Sequence, residues 1–468
     1  MARVIKRSKA LSVSPLKSGQ PVGASLAFMG IHRAMPMLHG AQGCSAFGKI
    51  FLVRHFREPI PLQTTAMDYQ SSIMGADDNI IEGLKVICEK HKPDLIGLPV
   101  TGLPETQGAD VKEAIKRFRE RYPEYNGVKV VPVSTPDFKG CMETGFAAAV
   151  EAMVTQLVPE CAARDSRSGR RPQQINVLAA SFLTPGDVAW LKETLALFDL
   201  YPVVIPDLAD SLDGHLVDED FSPLPVGGTP VSGFTRLGDA AASLVIGPSL
   251  FRAADMLKER TGVPDYRFDH LMGLEAVDEL LVTLAAISGN PVPECLQRRR
   301  AQLQDAMLDT HFMLGQARFA IAADPDLLNA LGQFLIGMGA ELVAAVAPDH
   351  TPVLEHVPAK EVKIGDLEDL EHIARDRSAN ILMGNSHVAA SAARLGLPLM
   401  RAGFPQYDRV GGYQRNWIGY RGARQTLFDL ANILLKSNRH EIKPYRSIYA
   451  QKSREASGNE FAAVFESG

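Results

Sequence analysis

The chain has 468 residues, of which 46% are hydrophobic and 22% are charged. These values are typical of globular proteins, so they exclude a disordered or fibrous chain, and the length predicts about three domains. The net charge of −5 gives no overall positive field that would attract nucleic acid phosphates, which argues against a nucleic-acid-binding protein.

No pattern in the sequence is typical of a membrane span or a secretory signal. No apolar stretch approaches the ~18 residues needed to span a bilayer, and the basic N-terminus lacks the apolar region of a signal peptide. The five cysteines form no CxxC pair and are odd in number, which argues against a disulfide scaffold. A reducing, cytoplasmic location is therefore the expectation.

The first part of the chain alternates between strand and helix patterns. Residues 94–100 and 128–133 are predicted as strands, and residues 45–55 and 79–91 as helices. A polar, basic stretch at residues 162–174 (AARDSRSGRRPQQ) contains almost no apolar residues, so we interpret it as a linker that ends a first domain.

The middle part shows a strand, helix, strand pattern. Thr184 and Pro185 are residue types preferred at the N-cap and the first position of a helix, and Val188, Leu191 and Leu195 then recur at helical spacing. Three apolar runs are predicted as parallel strands around this helix; they cover residues 175–181, 202–206 and 243–247.

The last part repeats this alternation. Asp324 with Pro325, and later Asp366, are predicted to start helices, and Gly337 to end the first of them. Residues 341–347, 380–383 and 397–401 are predicted as strands and residues 387–395 as a helix. The stretch from residue 291 to 322 is predicted as a helical segment that bridges the second and third domains.

The whole pattern predicts an α/β protein with three doubly wound, Rossmann-like domains and mainly parallel sheets. The domains are assigned to residues 1–170, 171–295 and 296–468, the last with a C-terminal helical tail. A fold class alone does not indicate a chemistry, so function has to be argued from individual residues.

Two glycine-containing segments could be ligand sites. Residues 43–50 (GCSAFGKI) nearly match a nucleotide-binding phosphate loop, but Ile50 replaces the hydroxyl that holds Mg²⁺ and no clear strand precedes the segment. A nucleotide- or sugar-binding enzyme is therefore disfavoured. Residues 384–387 (GNSH) follow a predicted strand, where α/β proteins bind ligands, yet Ser386 as a helix N-cap explains this segment without a ligand.

Cys44 is the strongest candidate for a functional side chain. Gly40 and Gly43 let the backbone approach a bulky neighbour, and the helix predicted to follow would favour a thiolate at its N-terminus. A thiolate is what an iron–sulfur cluster requires as ligand, whereas the alternative is a small buried thiol. Since a cubane cluster takes about four ligands, any cluster bound by Cys44 must be completed by another polypeptide.

The other cysteines are weaker candidates. Cys88 lies in a predicted helix and is assigned to the core, and Cys141 resembles Cys44 in its setting but is interpreted as structural. Cys161 and Cys295 have no partner at a ligand spacing. No HExxH, GxSxG or GxGxxG motif occurs and the twelve histidines are scattered, so no self-contained active site is predicted.

Several unusual strings resemble the β-subunit side of the nitrogenase component 1 family. They cover residues 39–44 (HGAQGC), 54–59 (RHFREP), 61–67, 135–140 (TPDFKG), 186–187, 213–215, 300–312, 401–405 (RAGFP), 411–413 and 447–452. Because these strings agree in order along almost the whole chain, the chain is identified as a member of this family. The resemblance implies a nitrogenase β-subunit-like fold.

The resemblance also concerns the cluster ligands. Catalytic nitrogenase β subunits are similar to this chain at Cys44, but they have further cysteines that align with Leu62 and Leu103, and their serine ligand aligns with Cys141. Leucine provides no donor atom, so the resemblance implies a single [4Fe–4S] cluster at a subunit interface instead of the larger P-cluster. Cys44 would supply one thiolate, and three would come from NifE, an α-like partner.

Within the family, the chain most resembles the β-like subunit of the scaffold on which the iron–molybdenum cofactor is built. The resemblance implies an α2β2 heterotetramer with NifE, which would hold most of the cofactor precursor while the nitrogenase iron protein delivers molybdenum and homocitrate. Proteins that donate or carry the precursor would be further partners, and the chain would not be an enzyme by itself. The alternative is a redox-active catalytic β-like subunit of a nitrogenase or protochlorophyllide reductase type enzyme.

Overall fold

The computed structural model describes residues 1–7, 12–160, 167–216 and 222–438. The first part of the chain contains β1 (Arg3–Ile5), α1 (Gln20–Met29), β2 (Ala34–Leu38), α2 (Gln42–Phe56), β3 (Gln63–Thr64), α3 (Ser71–Met74), α4 (Asp77–His91), β4 (Leu95–Val100), α5 (Gly102–Gln107), α6 (Val111–Arg121), β5 (Lys129–Ser134) and α7 (Met142–Leu157). The middle part contains β6 (Arg171–Ala179), α8 (Pro185–Ala196), β7 (Tyr201–Ile205), α9 (Leu208–Ser211), α10 (Val231–Phe234), β8 (Ala240–Ile246), α11 (Phe251–Thr261), β9 (Asp265–Phe268) and α12 (Leu274–Ser288).

The last part of the chain has the same alternation. It contains α13 (Glu294–Leu314), β10 (Arg318–Ala322), α14 (Pro325–Ile336), β11 (Glu341–Ala347), β12 (Glu361–Ile364), α15 (Leu367–Asp376), β13 (Ile381–Gly384), α16 (Val388–Leu395), β14 (Leu399–Arg401) and α17 (Gly419–Asn438). Within the described ranges, no helix combines the length and apolar character required to cross a bilayer.

The strands form three sheets, and every strand pair in the described residues is parallel. The strand orders are β3-β2-β4-β5, β7-β6-β8-β9 and β1-β12-β11-β10-β13-β14. The chain order reverses between β2 and β4 in the first sheet, between β6 and β8 in the second, and between β10 and β13 in the third. Such a reversal opens a crevice at the carboxyl ends of the two strands, where α/β proteins bind ligands.

Apolar cores cover both faces of each sheet, which confirms the prediction of doubly wound domains. One core lies between the first and second sheets, and another lies between the second and third. Two smaller cores cover the outer faces of the first and third sheets. Alternate strand residues therefore enter different cores; the pairs are Leu38 and Met37 in β2, Leu178 and Val177 in β6, and Ile321 and Ala320 in β10.

The helix starts predicted at Thr184, Asp324 and Asp366 are confirmed. The Thr184 hydroxyl accepts a hydrogen bond from the Asp187 N–H at 3.0 Å, and the Asp187 carboxylate accepts one from the Thr184 N–H in return. Asp324 is the N-cap residue of α14. The Asp366 carboxylate accepts hydrogen bonds from two N–H groups in the first turn of α15.

The prediction of continuous helix from residue 291 to 322 is wrong. Helix α13 ends at Leu314, and Gln316 then has a positive φ of 68°. The following apolar residues form β10, which pairs with β11 and β13 on either side. A strand in this central position is buried on both faces, so it reads as a continuous apolar run that periodicity cannot distinguish from a buried helix.

Two predicted boundaries also change. The expected linker at residues 162–174 ends earlier, because β6 begins at Arg171. Strand β1 pairs with β12, so residues 3–5 belong to the third sheet instead of the first domain. The domain boundaries otherwise stay a prediction. Cys161, the string at residues 447–452 and the expected C-terminal tail lie outside the described residues.

Candidate metal centre

Four loops meet at the carboxyl edge of the first sheet. The His39 N–H donates to the Pro99 carbonyl at 2.9 Å, and the Thr101 N–H donates to the His39 carbonyl at 3.0 Å, which joins the ends of β2 and β4. The loop after β3 is held by the Met67 N–H, which donates to the Gly40 carbonyl. The Thr135 N–H, after β5, donates to the Val100 carbonyl. This edge contains the strand-order reversal of the first sheet, where a ligand is expected.

Cys44 lies on this edge, in the first turn of α2. The helix begins at Gln42, three residues earlier than predicted, so Cys44 lies inside the helix instead of before it. Its side chain is exposed. A Cβ atom built on Gly43 would have no atom of the described residues within 4 Å. The expected close approach at Gly43 is therefore absent within the described chain, and the space beside the thiol is open.

Gly40, in contrast, shows the predicted close approach. A Cβ atom at Gly40 would lie 2.4 Å from the Thr101 Oγ1, which is less than any normal contact. The Thr101 hydroxyl donates to the His39 carbonyl at 2.9 Å. Gly40 therefore allows the loops after β2 and β4 to pack against each other, and this packing positions the start of α2.

The electrostatic environment of Cys44 differs from the expectation. Burial raises the pKa of the Cys44 thiol, the negative charge of Asp137 raises it further, and a backbone hydrogen bond opposes both effects. The backbone hydrogen bond acts in the direction predicted for a helix N-terminus, but burial and the charge of Asp137 outweigh it, so the pKa of the thiol is raised in the chain by itself. Metal binding requires loss of the thiol proton, so a cation at this position would supply the missing positive charge.

Leu62 and Leu103, which align with ligand cysteines of catalytic β subunits, both lie near this edge. Leu62 is buried and belongs to the core that contains Leu52 and Phe56 of α2. Leu103 lies in α5 and is 40% exposed. Since both side chains are apolar, this edge of the sheet has no second or third sulfur donor at these positions.

Cys141 lies buried at the start of α7, and its role as a structural residue stays a prediction. It is the N-cap residue of α7 and is fully buried, and the Cys141 N–H donates to the Thr144 hydroxyl at 2.8 Å. Burial raises the pKa of its thiol well above the ordinary value. Cys88 is also buried, in α4, as predicted. Both thiols are therefore inaccessible to a cluster at the surface.

Exposed apolar side chains lie on the helices and loops that follow β2, β3, β4 and β5, the same elements that meet at the edge where Cys44 lies. Phe47 of α2 is 69% exposed, and Phe138 in the loop after β5 is 60% exposed. We call the full set the apolar rim; its members are Phe47, Ile50, Val53, Tyr69, Ile73, Met74, Leu103 and Phe138. Exposed apolar side chains concentrated on one side of a domain are typical of a surface that another polypeptide covers.

Sequence reasoning did not single out two residues of this site. Asp137 was quoted only within a family string, yet its charge acts on Cys44, and the Gly102 N–H of α5 donates a hydrogen bond to it. His39 is fully buried, and its Nδ1 lies 3.0 Å from the Thr65 Oγ1. Burial lowers the pKa of His39 to about 4, so the ring is neutral at physiological pH. No local signal separates these residues from ordinary loop residues.

The two glycine-containing segments are not ligand sites. Residues 43–50 lie within α2, so they cannot form the loop that wraps a phosphate. Ser386 is not the N-cap of α16, because that position is occupied by His387. The Ser386 hydroxyl instead donates to the Asp408 carboxylate and accepts a hydrogen bond from the Tyr407 N–H. The prediction of an N-cap is wrong, although the role of Ser386 is still structural.

In the described part of the chain, no three His, Cys, Asp or Glu side chains come close enough together to hold a metal ion. Cys44 is the exposed thiol at the carboxyl edge of the first sheet, and it offers one sulfur atom. A cubane cluster needs about four ligands. These residues therefore fit a cluster only as a contribution of one ligand to a site that a second chain completes.

A family model and curated relatives match almost the whole chain. The family model described as nitrogenase component 1 type oxidoreductase matches residues 19–435. A curated relative from Klebsiella pneumoniae, "Nitrogenase iron-molybdenum cofactor biosynthesis protein NifN", is 45% identical over 465 residues, 99% of this chain and 100% of the relative. The protein of the same name from Nostoc sp. is 44% identical and covers 95% of this chain and 98% of its own length.

Solved structures are similar over the same length. A chain of "Nitrogenase Cp1 at pH 6.5" has a TM-score of 0.87 at 28% identity and covers 95% of this chain and 98% of its own. A chain of "Nitrogenase Cp1 at pH 5" has a TM-score of 0.70 at 15% identity, covers 95% of this chain and 93% of its own, and is evidence for the fold alone. The chain therefore belongs to the nitrogenase component 1 type oxidoreductase family.

Proposed function

We propose that this protein is the β-like subunit of a scaffold for assembly of the nitrogenase iron–molybdenum cofactor, and that Cys44 is one ligand of a [4Fe–4S] cluster shared with NifE. The observation that carries the proposal is an exposed thiol on the carboxyl edge of the first sheet, where the apolar rim lies on the elements that follow the same four strands. The open space at Gly43 leaves room for a cluster or a partner beside the thiol. Names of relatives that are 39–45% identical over nearly the whole chain support the biosynthetic role.

The same observations favour a scaffold over a catalytic redox subunit. Leu62 and Leu103 replace the cysteines expected in a catalytic β subunit, and one is buried in the core while the other is apolar and exposed. A larger cluster would need anionic donors at both positions. Identity also favours the scaffold, because it is 28% to the nitrogenase chain and 45% to the NifN relative from Klebsiella pneumoniae.

The apolar rim is the surface that NifE would cover in this proposal. NifE would contribute the three remaining thiolates, so that the cluster lies between the two chains. A second exposed apolar surface lies on a different part of the fold and supports an α2β2 arrangement. It consists of Leu308 and Phe312, four residues apart on α13, and Phe312 is 90% exposed.

The cofactor precursor would be held mainly by NifE. The crevice of this chain at the carboxyl ends of β6 and β10 contains a cavity of about 20 Å³, lined by Ser181, Asp324 and Asn385 among others. A cavity needs roughly 10–15 Å³ of such volume for one water molecule, so this crevice has no room for a metal cluster. The chain would thus act by pairing, by cluster binding and by docking the nitrogenase iron protein, which would deliver molybdenum and homocitrate. Proteins that donate or carry the precursor would be further partners.

The test is anaerobic purification of the chain together with NifE, with iron quantification and EPR spectroscopy. We expect one [4Fe–4S] cluster per heterodimer, and a lower iron content with an altered EPR signal in Cys44→Ala. Cys295→Ala is the matched control, because Cys295 is also exposed and also lies in the first turn of a helix. The buried Cys88 provides a second control, since Cys88→Ala should leave the cluster signal unchanged.

Two results would contradict the proposal. An unchanged cluster signal in Cys44→Ala would show that the ligand lies elsewhere. Stoichiometric iron bound by the chain alone would also contradict it, because Cys44 by itself cannot supply the four ligands of a cubane.

A further inference from the structure

The three domains meet at two buried carboxyl groups. Glu143 lies in the first turn of α7, and Asp326 lies in the first turn of α14. The Asp326 N–H donates to the Glu143 Oε2 at 2.8 Å, and the Asp326 Oδ2 accepts a hydrogen bond from the Ser249 N–H at 3.0 Å. Ser249 follows β8 of the second sheet, so Asp326 contacts an element from each of the other two domains.

One oxygen of each carboxyl group has no hydrogen-bond partner. The Glu143 Oε1 and the Asp326 Oδ1 are inaccessible to solvent, and neither has a partner in the described residues. Both side chains are only 1% exposed. An ionised oxygen in such a position loses its water without compensation, which strongly disfavours the charged form. Protonation of one or both carboxyl groups removes this penalty.

The charged groups that act on these carboxyls are also acidic, whereas the hydrogen bonds from Ser249 and from the Asp326 N–H lower the pKa values. Asp324, on the loop before α14, acts on Glu143, and Asp269, after β9, acts on Asp326. The charges of Asp324 and Asp349 raise the pKa of the neighbouring Cys141 thiol. Among the described residues that shift the pKa of Glu143 or Asp326, none is a lysine, an arginine or a histidine. Two carboxylates next to each other without a cation would repel.

A bound cation would be the alternative to a proton. The described residues contain no group of three carboxylate, imidazole or thiol side chains suited to a metal ion. We therefore propose that Glu143 and Asp326 form a proton-dependent contact between the three domains, which holds α7, α14 and the Ser249 turn together and weakens as the pH rises. We call these residues the acidic contact.

The expected direction with pH follows from proton linkage. Burial is the main cause that raises the pKa of Glu143 and of Asp326 above the ordinary carboxyl value of about 4. Between the ordinary and the raised pKa values, the protein with the acidic contact formed therefore binds more protons than the protein with this contact opened. Its stability is complete below about pH 4 and is lost as the pH rises through the raised values.

Hydrogen exchange measured by mass spectrometry on the complex with NifE tests the proposal. Exchange of amides in the first turns of α7 and α14, corrected for the intrinsic effect of pH, should increase between pH 5.5 and pH 8.5. The increase should be at most about tenfold per pH unit for each proton released. Glu143→Gln mimics the protonated acid, so it should reduce this pH dependence without raising exchange at pH 5.5.

The control is Asp366→Asn, because Asp366 is equally buried but accepts hydrogen bonds from the Val13 and Glu368 N–H groups. This variant should leave the pH dependence at α7 and α14 as in the wild type. A Glu143→Gln protein with the wild-type pH dependence would overturn the proposal, and so would one with uniformly faster exchange at every pH. Protection that rises with added Mg²⁺ or Ca²⁺ in the wild type, but not in Glu143→Gln, would overturn it in favour of a cation.

Discussion

The crossing of α1 and α7 offers a sharp test of the packing that supports the first domain. A Cβ atom at Gly145 of α7 would lie 2.1 Å from the Gln20 carbonyl oxygen, and one at Gly23 of α1 would lie 1.8 Å from the Met142 carbonyl oxygen. Both obstacles are backbone atoms, which cannot turn away as a side chain can. Gly145→Ala should therefore force the two helices apart.

The magnitude follows from two opposing effects. A carbon atom needs about 3.5 Å to a neighbouring heavy atom, so the helices would have to separate locally by more than about 1 Å. Overpacking of this kind destabilises by about 1–3 kcal/mol or more, while replacing glycine with alanine in a helix stabilises by about 1 kcal/mol. We expect a net loss of about 2 kcal/mol, which lowers the unfolding midpoint of a domain of this size by roughly 4–8 °C.

Thermal unfolding of the complex, followed by circular dichroism at a constant scan rate, measures the shift. Gly83→Ala in α4 is the matched control, because the nearest atom to its Cβ is the Met37 sulfur at 2.8 Å, the end of a flexible side chain. This control should shift the midpoint by only about 2 °C in either direction. If Gly145→Ala were as stable as Gly83→Ala, the argument from backbone contact would be refuted.

Two further predictions concern the metal centre and the contact of α2 with the third domain. Because the space beside Gly43 is open, Gly43→Leu should leave the unfolding midpoint of the chain unchanged but weaken co-purification with NifE. Gly40→Ala should instead lower the midpoint, because its Cβ clashes with Thr101. Equal co-purification of Gly43→Leu and wild type would count against the docking surface. The His55 Nδ1 accepts a hydrogen bond from the Gln406 N–H, and burial lowers the pKa of His55 to about 3. Since the unfolded chain then binds more protons, stability should fall between pH 6.5 and pH 3 by up to about 1.4 kcal/mol per pH unit, and titration of His55→Gln should show a smaller loss.

Much of the fold could be predicted from short stretches of sequence. Helix starts at Thr184, Asp324 and Asp366 depend on hydrogen bonds or backbone angles within one turn, so the local residues determine them. The same holds for the alternation of strands and helices, which follows from hydrophobic periodicity. Local sequence predicted the wrong structure at β10, because a strand buried on both faces has the same apolar pattern as a buried helix. It also predicted the wrong role for Ser386, because the Ser386 hydroxyl forms hydrogen bonds with Tyr407 and Asp408 of a distant loop.

The candidate site also has features that the sequence predicts and features that only the folded chain shows. The sequence singled out Cys44 and showed that a single thiolate needs a partner, because donor type and count are properties of the residues themselves. The role of Asp137, the pKa of Cys44 and the apolar rim depend on loops that follow four different strands. These loops meet only when the sheet orders its strands, so no single segment contains the information.

The sequence by itself therefore determined most of the local elements, the α/β class and Cys44 as the candidate sulfur donor, since each depends on neighbouring residues or on residue type. The tertiary structure decided which distant groups meet. It placed β1 in the third sheet, exposed Cys44 at the carboxyl edge of the first sheet and brought Glu143 next to Asp326 across 183 positions of the chain. Burial and electrostatic interaction depend on distance in space, and only the folded chain sets those distances.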